Sequence, residues 1–242
     1  MRQIKNIAMI IAGGVGQRTH QDIPKQFIHV NDVPIIIYTL KAFQAHPLID
    51  SIFVVCLSGW KEVLTAYSKQ FDISKLEDVV EGGETGQDSI RNGLFRISDK
   101  YKSDEDIVLI HDAIRPMVGS EIISDSIRVC REKGNATTVI PCTSVMLKTD
   151  DSIVSNDLIP RDNLKITQTP QTFFIKELVG VHKKAIAMNH NGSVASCSLY
   201  VEMGMPVYFS KGSEKNIKIT TSEDIEIFKS LLDFKRPGWL KE

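Results

Sequence analysis

The sequence predicts an α/β fold: a mostly parallel sheet with helices on both faces and a protruding β-arm. Three observations lead there. Short runs of Ile, Val and Leu recur without polar alternation, as in strands buried on both faces. Segments with apolar residues at helical spacing lie between them, the alternation that builds parallel sheets. Several runs end at glycines or at a His-Asp pair, beyond the carboxyl ends of strands where such sheets take up ligands.

The first strand is Ile7 to Ile11, a near-continuous apolar run. Ile35 to Phe43 follows Pro34, a residue suited to a first helical turn, and repeats Ile36, Leu40 and Phe43 along one face, so a helix is expected. Ile52 to Leu57 is a second buried strand, Trp60 to Phe71 an amphipathic helix, and Leu76 to Val80 a short strand ending at Gly82-Gly83. Asp88 to Ile97 places Ile90, Leu94 and Ile97 on one helical face, and Ile107 to Ile110 is a strand ending at His111-Asp112. Glu121 to Glu132 has Ser120 at its N-cap and Gly134 beyond its end, and Thr137 to Ile140 is a further strand.

From Thr143 to Gln168 the rhythm changes. Short alternating segments such as Val145 to Lys148 are separated by polar turns, which reads as a hairpin arm at about 143–168. Ile175 to Met188 and Ser198 to Met203 are expected helices, and Val207 to Phe209 a strand. Thr221 with Asp224 caps a last helix whose core spacing is Ile225, Phe228 and Leu232. With no repeat or low-complexity tract, residues 1–242 read as one domain.

At 42% hydrophobic and 24% charged, the chain holds enough apolar material for a full core. A formal net charge of −1 gives no global attraction to nucleic acid or anionic membrane, so neither partner is expected. No apolar run approaches the ~20 residues of a membrane span. The short run behind Arg2 and Lys5 leads into glycines without a small-residue cleavage site, and reads as a strand rather than a signal peptide. Cys56, Cys130, Cys142 and Cys197 are scattered with no C-x-x-C pair, which fits reduced, buried thiols in the cytoplasm better than disulfides or zinc. Of the histidines only His111 adjoins a motif, where packing is expected over ligation.

The chemistry concentrates where the first strand ends. Ala12-Gly13-Gly14-Val15-Gly16-Gln17-Arg18 is followed by Pro24-Lys25-Gln26-Phe27. Glycines let backbone N–H groups come close to phosphate oxygens, and Arg18 and Lys25 offer charge where a reacting phosphate gains it. The loop is not a P-loop, which closes on Gly-Lys-Ser/Thr, because Gly16 is followed by Gln17-Arg18. Nor is it the dinucleotide fingerprint: Thr19 stands where a third glycine belongs, and Pro24 disfavours helix at Ile23. Taken alone, the loop is equally compatible with a glycine turn beside two solvated cations.

Three further segments follow in order: Gly82-Gly83 with Asp88-Ser89 and Asn92-Gly93-Leu94; His111-Asp112-Ala113-Ile114-Arg115-Pro116; and Gln168-Thr169-Pro170-Gln171-Thr172-Phe173 with Asn216-Ile217-Lys218-Ile219-Thr220-Thr221. In order and spacing, the four segments resemble the methylerythritol-phosphate and ribitol-phosphate cytidylyltransferases over nearly the whole chain. The resemblance implies a Rossmann-like nucleotidyltransferase, a homodimer joined by extended arms, and a divalent cation, usually Mg²⁺. It also implies attack by the phosphate of a polyol phosphate on the α-phosphorus of CTP, releasing pyrophosphate. An alkyl phosphate is already anionic at neutral pH, so positioning and charge neutralisation would carry the catalysis.

Residue by residue, the resemblance implies Arg18, Lys25 and Lys218 as the catalytic cations at the triphosphate and the attacking phosphate. Ile11, Ala12, Gly13, Gly14 and Gly16 would meet the nucleotide, with Gly82, Gly83, Asp88 and Ser89 toward the cytosine. Asp112 and Ala113 would lie near the ribose, Asp112 also serving the metal. Arg115, Arg161 and Thr169 fall on the acceptor side, Arg161 reaching from the arm into a partner subunit's site. Plainer alternatives stand beside these roles: a turn at Gly82-Gly83, a helix cap at Ser89, a brace for Asp112 at Arg115, an exposed arm residue at Arg161, and a Thr-Pro turn at Thr169.

The chain departs from the family pattern at three places. Gly86 stands where an arginine is usual, Ser144-Val145 where many relatives have Asp-Thr, and Val194-Ala195 where Thr-Asp is common. The last two departures remove polar groups on the polyol side, where hydroxyl recognition depends on paired partners. Ser193, Ser196 and Ser198 are the nearby hydroxyls that could replace them. The Ala-Gly-Gly loop leans toward the ribitol-phosphate branch, making ribitol 5-phosphate the expected acceptor. The alternatives are methylerythritol 4-phosphate and, in another class, a nucleotide-binding regulatory or scaffold protein without turnover.

Overall fold

The apolar runs of the sequence pair side by side. The structure is a computed structural model and describes residues 4–14, 23–190 and 192–233. In chain order it contains β1 (Asn6–Ala12), a hairpin of β2 (His29–Val30) and β3 (Val33–Pro34), α1 (Ile35–Ala45), β4 (Ser51–Cys56), α2 (Lys61–Gln70) and β5 (Leu76–Glu81). Then come α3 (Gly86–Lys100), β6 (Ile107–Asp112), α4 (Ser120–Lys133) and β7 (Asn135–Pro141). The arm carries β8 (Met146–Lys148) and β9 (Asp157–Ile159), followed by β10 (Lys165–Phe174), α5 (Ile175–Ala187), α6 (Ser196–Glu202), β11 (Phe209–Lys211) and α7 (Ser222–Asp233).

Among the described residues, seven strands form one sheet in the order β11-β7-β10-β6-β1-β4-β5. Its pairs are parallel except those of β10, which runs antiparallel to both β6 and β7. The mostly parallel sheet is therefore as expected, but its reversed strand is a correction. The sequence pattern carries the arm to about residue 168 and allows a turn at Thr169-Pro170, whereas Lys165–Phe174 forms one strand. The strand tolerates Pro170 because its register against β7 slips between Thr167 and Gln171, a bulge that needs no ladder donor there.

The strands are buried on both faces, and their alternation divides the core. Ala8, Ile10 and Ala12 of β1 point to one layer with Ile36 and Leu40 of α1, Leu64 of α2 and Ile123 of α4. Ile7 and Met9 point to the other, with Leu94 of α3, Leu178 of α5 and Tyr200 of α6. A smaller cluster of Val30, Ile35, Ile219 and Phe228 docks α7 against the β2–β3 hairpin and α1. All four cysteines are free and buried.

Helix α3 packs close against the sheet, because Gly93 has no side chain to hold it off. A Cβ at Gly93 would overlap Val55 Cγ2 and come within 2.6 Å of Met9 Sδ. Gly93→Ala is therefore expected to destabilise the fold by about 1–3 kcal/mol through overpacking. A fall in the urea midpoint at unchanged slope checks this.

Candidate active site

Strand β1 pairs with β4 on one side and β6 on the other, so the sheet changes winding direction beside it, and crevices open at the carboxyl ends of strands at such points. A cleft of about 640 Å³ lies there. Ile11, Ala12, Gly13, Gly14, Lys25, Gly83, Ser89, Asp112, Ala113, Arg115, Thr169 and Lys218 line it, bringing together most of the residues singled out from the sequence. Gly16 and Arg18 lie outside the described residues.

Three residues singled out from the sequence do not line the cleft. Gly82 sits behind the wall, its N–H donating to the Cys56 carbonyl at 2.8 Å. The carboxylate of Asp88 accepts from the Thr85 N–H at 3.3 Å, from the Thr85 hydroxyl at 2.7 Å and from Arg91 Nη1 at 3.1 Å. Thr85 in turn caps α3 by accepting from the Asp88 N–H, so the pair is a capping box that starts the helix beside the cleft. Arg161 lies on a short 3-10 turn of the arm, where its Nη1 donates to the Thr143 carbonyl at 2.6 Å.

One wall of the cleft is a knot of small residues around one hydroxyl. Ser89 is not a helix cap; its Oγ accepts the Gly83 N–H at 3.0 Å. A Cβ on either Gly13 or Gly82 would come within 3.1 Å of that oxygen. Thus the β1 loop, the β5 loop and the first turn of α3 meet at a separation that leaves little room for a side chain on either glycine. Gln26 secures the same loop from below, donating to the Ala12 carbonyl at 2.7 Å and the Gly14 carbonyl at 3.1 Å. That buried side chain was quoted in the sequence only as Lys25's neighbour; its burial comes from a fold contact that spacing does not reveal.

Asp112 is the electrostatic centre. Its Oδ2 lies 3.0 Å from Lys218 Nζ and accepts from Arg115 Nε at 3.1 Å. Burial pushes its carboxyl up, but the Lys218 and Arg115 cations together outweigh that and hold it below the usual carboxylate range. Arg115 also donates Nη1 to the Asn216 carbonyl at 2.7 Å, so it braces Asp112 and the segment carrying Lys218 at once. Asn216, fully buried, donates to the Thr169 carbonyl at 2.9 Å and joins that segment to β10.

His111, near the end of β6, is fully buried. Its Nε2 faces the Arg115 carbonyl at 3.1 Å, and a carbonyl only accepts, so this nitrogen carries the proton. Nδ1 then accepts from the Thr169 hydroxyl at 2.9 Å, whose oxygen accepts the Asp112 N–H at 3.1 Å. Burial drives the imidazole down to about 4, keeping it neutral. The Thr169 hydroxyl expected on the acceptor side is thus engaged in aligning Asp112.

The lining also includes Gln168, Val194, Ala195 and Ser196. Of the three serines considered as replacements, Ser193 bonds to Glu202 and Ser198 to the backbone of Ala195. Ser196 is buried, and its hydroxyl has no partner among the described residues.

The profile of the 2-C-methyl-D-erythritol 4-phosphate cytidylyltransferase family (IspD) matches residues 6–233. The chain belongs to this family. A ribitol-5-phosphate cytidylyltransferase of Lacticaseibacillus paracasei is 41% identical over 227 residues, covering 93% of this chain and 97% of that one. A 2-C-methyl-D-erythritol 4-phosphate cytidylyltransferase of Clostridium botulinum is 38% identical over 231 residues, covering 95% and 98%. The crystal structure of 4-diphosphocytidyl-2C-methyl-D-erythritol synthase from Anaerococcus prevotii superposes with a TM-score of 0.81 at 24% identity, covering 96% of this chain and 99% of that one, which shows the common fold. The protein is accordingly a cytidylyltransferase.

In this cytidylyltransferase the Thr169 hydroxyl bridges two groups that have no alternative partner among the described residues. Thr169→Val is expected to lower stability by about 1–3 kcal/mol, because it strands a buried acceptor and donor, while Thr169→Ser restores most of the loss. Thermal melts of the three proteins check this.

Proposed function

We propose that the enzyme transfers CMP from CTP to ribitol 5-phosphate, giving CDP-ribitol and pyrophosphate. The observation that carries the reading is the convergence of Lys25 and Lys218 on a cleft lined by glycine backbone and by the apolar Val194-Ala195 segment. Support for the acceptor comes from the relatives named for ribitol 5-phosphate, which are 34–41% identical over at least 93% of the chain. In this reading the acceptor phosphate attacks the α-phosphorus of CTP, forming a new P–O bond as the bond to pyrophosphate breaks. Lys25 and Lys218, with Arg18 expected beside them, neutralise charge on the phosphates as it builds. Asp112 keeps Lys218 at the reacting centre, and Arg115 holds that carboxylate in place.

A divalent cation fits this chemistry. Among the described residues no group of three His, Cys, Asp or Glu could cage a metal, but Mg²⁺ commonly takes one carboxylate, waters and substrate phosphates. Asp112 is the residue that would hold it, through Oδ1, the oxygen that no described residue bonds. Such an ion supplies charge neutralisation at the triphosphate.

The reading includes a homodimer joined through the arm. Strands β8 and β9 span three residues each, too little for a stable isolated hairpin, and they present Leu147 and Leu158 to solvent with Ile153 at 89% exposure between them. It also includes action in the cytoplasm on the way to a cell-envelope polysaccharide; none of the helices among the described residues is long and apolar enough to cross a membrane.

The test is pyrophosphate release with CTP and Mg²⁺ across ribitol 5-phosphate, 2-C-methyl-D-erythritol 4-phosphate and glycerol 3-phosphate. Ribitol 5-phosphate is expected to lead by at least about tenfold in kcat/KM. A lead for methylerythritol 4-phosphate assigns the enzyme to the other branch, and CTP binding without turnover on any acceptor overturns the transfer reading. Arg161→Ala is expected to raise the acceptor KM about tenfold or more, as loss of a charged phosphate contact does. Mixed dimers with a Lys218→Ala protomer should recover about a quarter to a half of the activity if Arg161 acts across the dimer; no recovery places Arg161 in its own subunit's site.

A further inference from the structure

The segment joining α5 to α6 ends in Val194, Ala195 and Ser196, which form part of the cleft wall. A surface connection of this kind has few apolar contacts of its own, so polar anchors decide where it stands. Glu202, in the last turn of α6, supplies the principal one. Its Oε2 accepts from the Ser193 hydroxyl and lies 2.7 Å from His190 Nε2. These two bonds hold the Glu202 carboxyl below its ordinary range. The Ser193 N–H donates to Gln87 Oε1 of α3 at 3.1 Å, and the Cys197 N–H donates to Gln171 Oε1 of β10 at 3.0 Å. The segment is thereby fixed to α3, which carries Ser89, and to β10, which carries Thr169.

Between those anchors sits Ser196, 2% exposed, with a hydroxyl that has no partner among the described residues. Leaving such a group buried and unpaired is costly, and in a cleft wall it indicates a ligand that completes it. Glu202 and His190 are themselves partly exposed, so their pairing contributes little to global stability. Their effect is local, on the position of the wall.

We infer that Glu202, Ser193 and His190 are positioning residues for the acceptor: they hold the wall so that the Ser196 hydroxyl meets a hydroxyl of the polyol. The inference rests on the transfer reading above and names the group that replaces the polar pair this chain lacks at Val194-Ala195.

The experiment measures separate KM values for CTP and for ribitol 5-phosphate in the full-length enzyme, with melting temperatures alongside. Ser193→Ala, Glu202→Ala and Ser196→Ala are expected to raise the acceptor KM by about fivefold to thirtyfold, with the CTP KM within about twofold of the parent. Glu202→Gln and Ser193→Thr, which keep the hydrogen-bonding atoms, should recover most of that loss. An unchanged acceptor KM in Ser193→Ala or Ser196→Ala overturns the inference. So does an equal rise in both KM values with a lowered melting temperature, which makes the cluster a folding element only; Glu202→Gln provides this comparison if an alanine variant does not fold. Parent enzyme that turns over none of the polyol phosphates refutes the transfer reading itself, an outcome distinct from an active parent with silent variants.

Discussion

A carboxylate at the end of a buried strand must be paired, and the pairing of Asp112 organises this molecule's working end. Lys218 and Arg115 both approach the same oxygen, Lys218 from the loop before α7 and Arg115 from the turn after β6. Because Arg115 also binds the Asn216 carbonyl, and Asn216 binds the Thr169 carbonyl, one negative charge fixes the end of β6, the middle of β10 and the loop before α7. The neutral His111 completes the arrangement from beneath without adding a charge that Asp112 would have to share.

The wall around Ser89 is organised by steric exclusion. Ser89 stands where three backbones converge, and the capping box of Thr85 and Asp88 sets the helix that delivers it. Gly93, further along the same helix, lets α3 settle against Met9 and Val55. The wall is thus positioned by small residues spread over three segments. Substituting Gly13, Gly82 or Ser89 would act on the site through backbone placement, although none of the three carries charge.

Much of this was legible in the sequence. Continuous apolar runs identified β1, β4 and β6 because strands covered on both faces leave no place for polar residues, and the motifs at their ends marked the cleft. Strand β10 escaped because Pro170 and its polar neighbours mimic a loop, and only its pairing with β6 and β7 shows otherwise. Asp88 looked like a ligand group since its place in a motif does not distinguish a capping carboxylate from a binding one. Gln26 and Asn216 act through contacts 12 to 48 residues distant in sequence, which no local pattern encodes. Val194-Ala195 stood out as a departure from the family, and the structure places both residues in the cleft wall.

The reversed strand has a consequence for biogenesis. Strands β6 and β7 are complete by Pro141, but their shared neighbour ends only at Phe174, after the whole arm has been synthesised. The other neighbour of β7, β11, comes later still. A chain emerging from the ribosome therefore passes through a stage in which β7 has no partner and β6 shows an open edge to other nascent chains. Translation speed across the arm, where no core is formed, sets how long that exposure lasts.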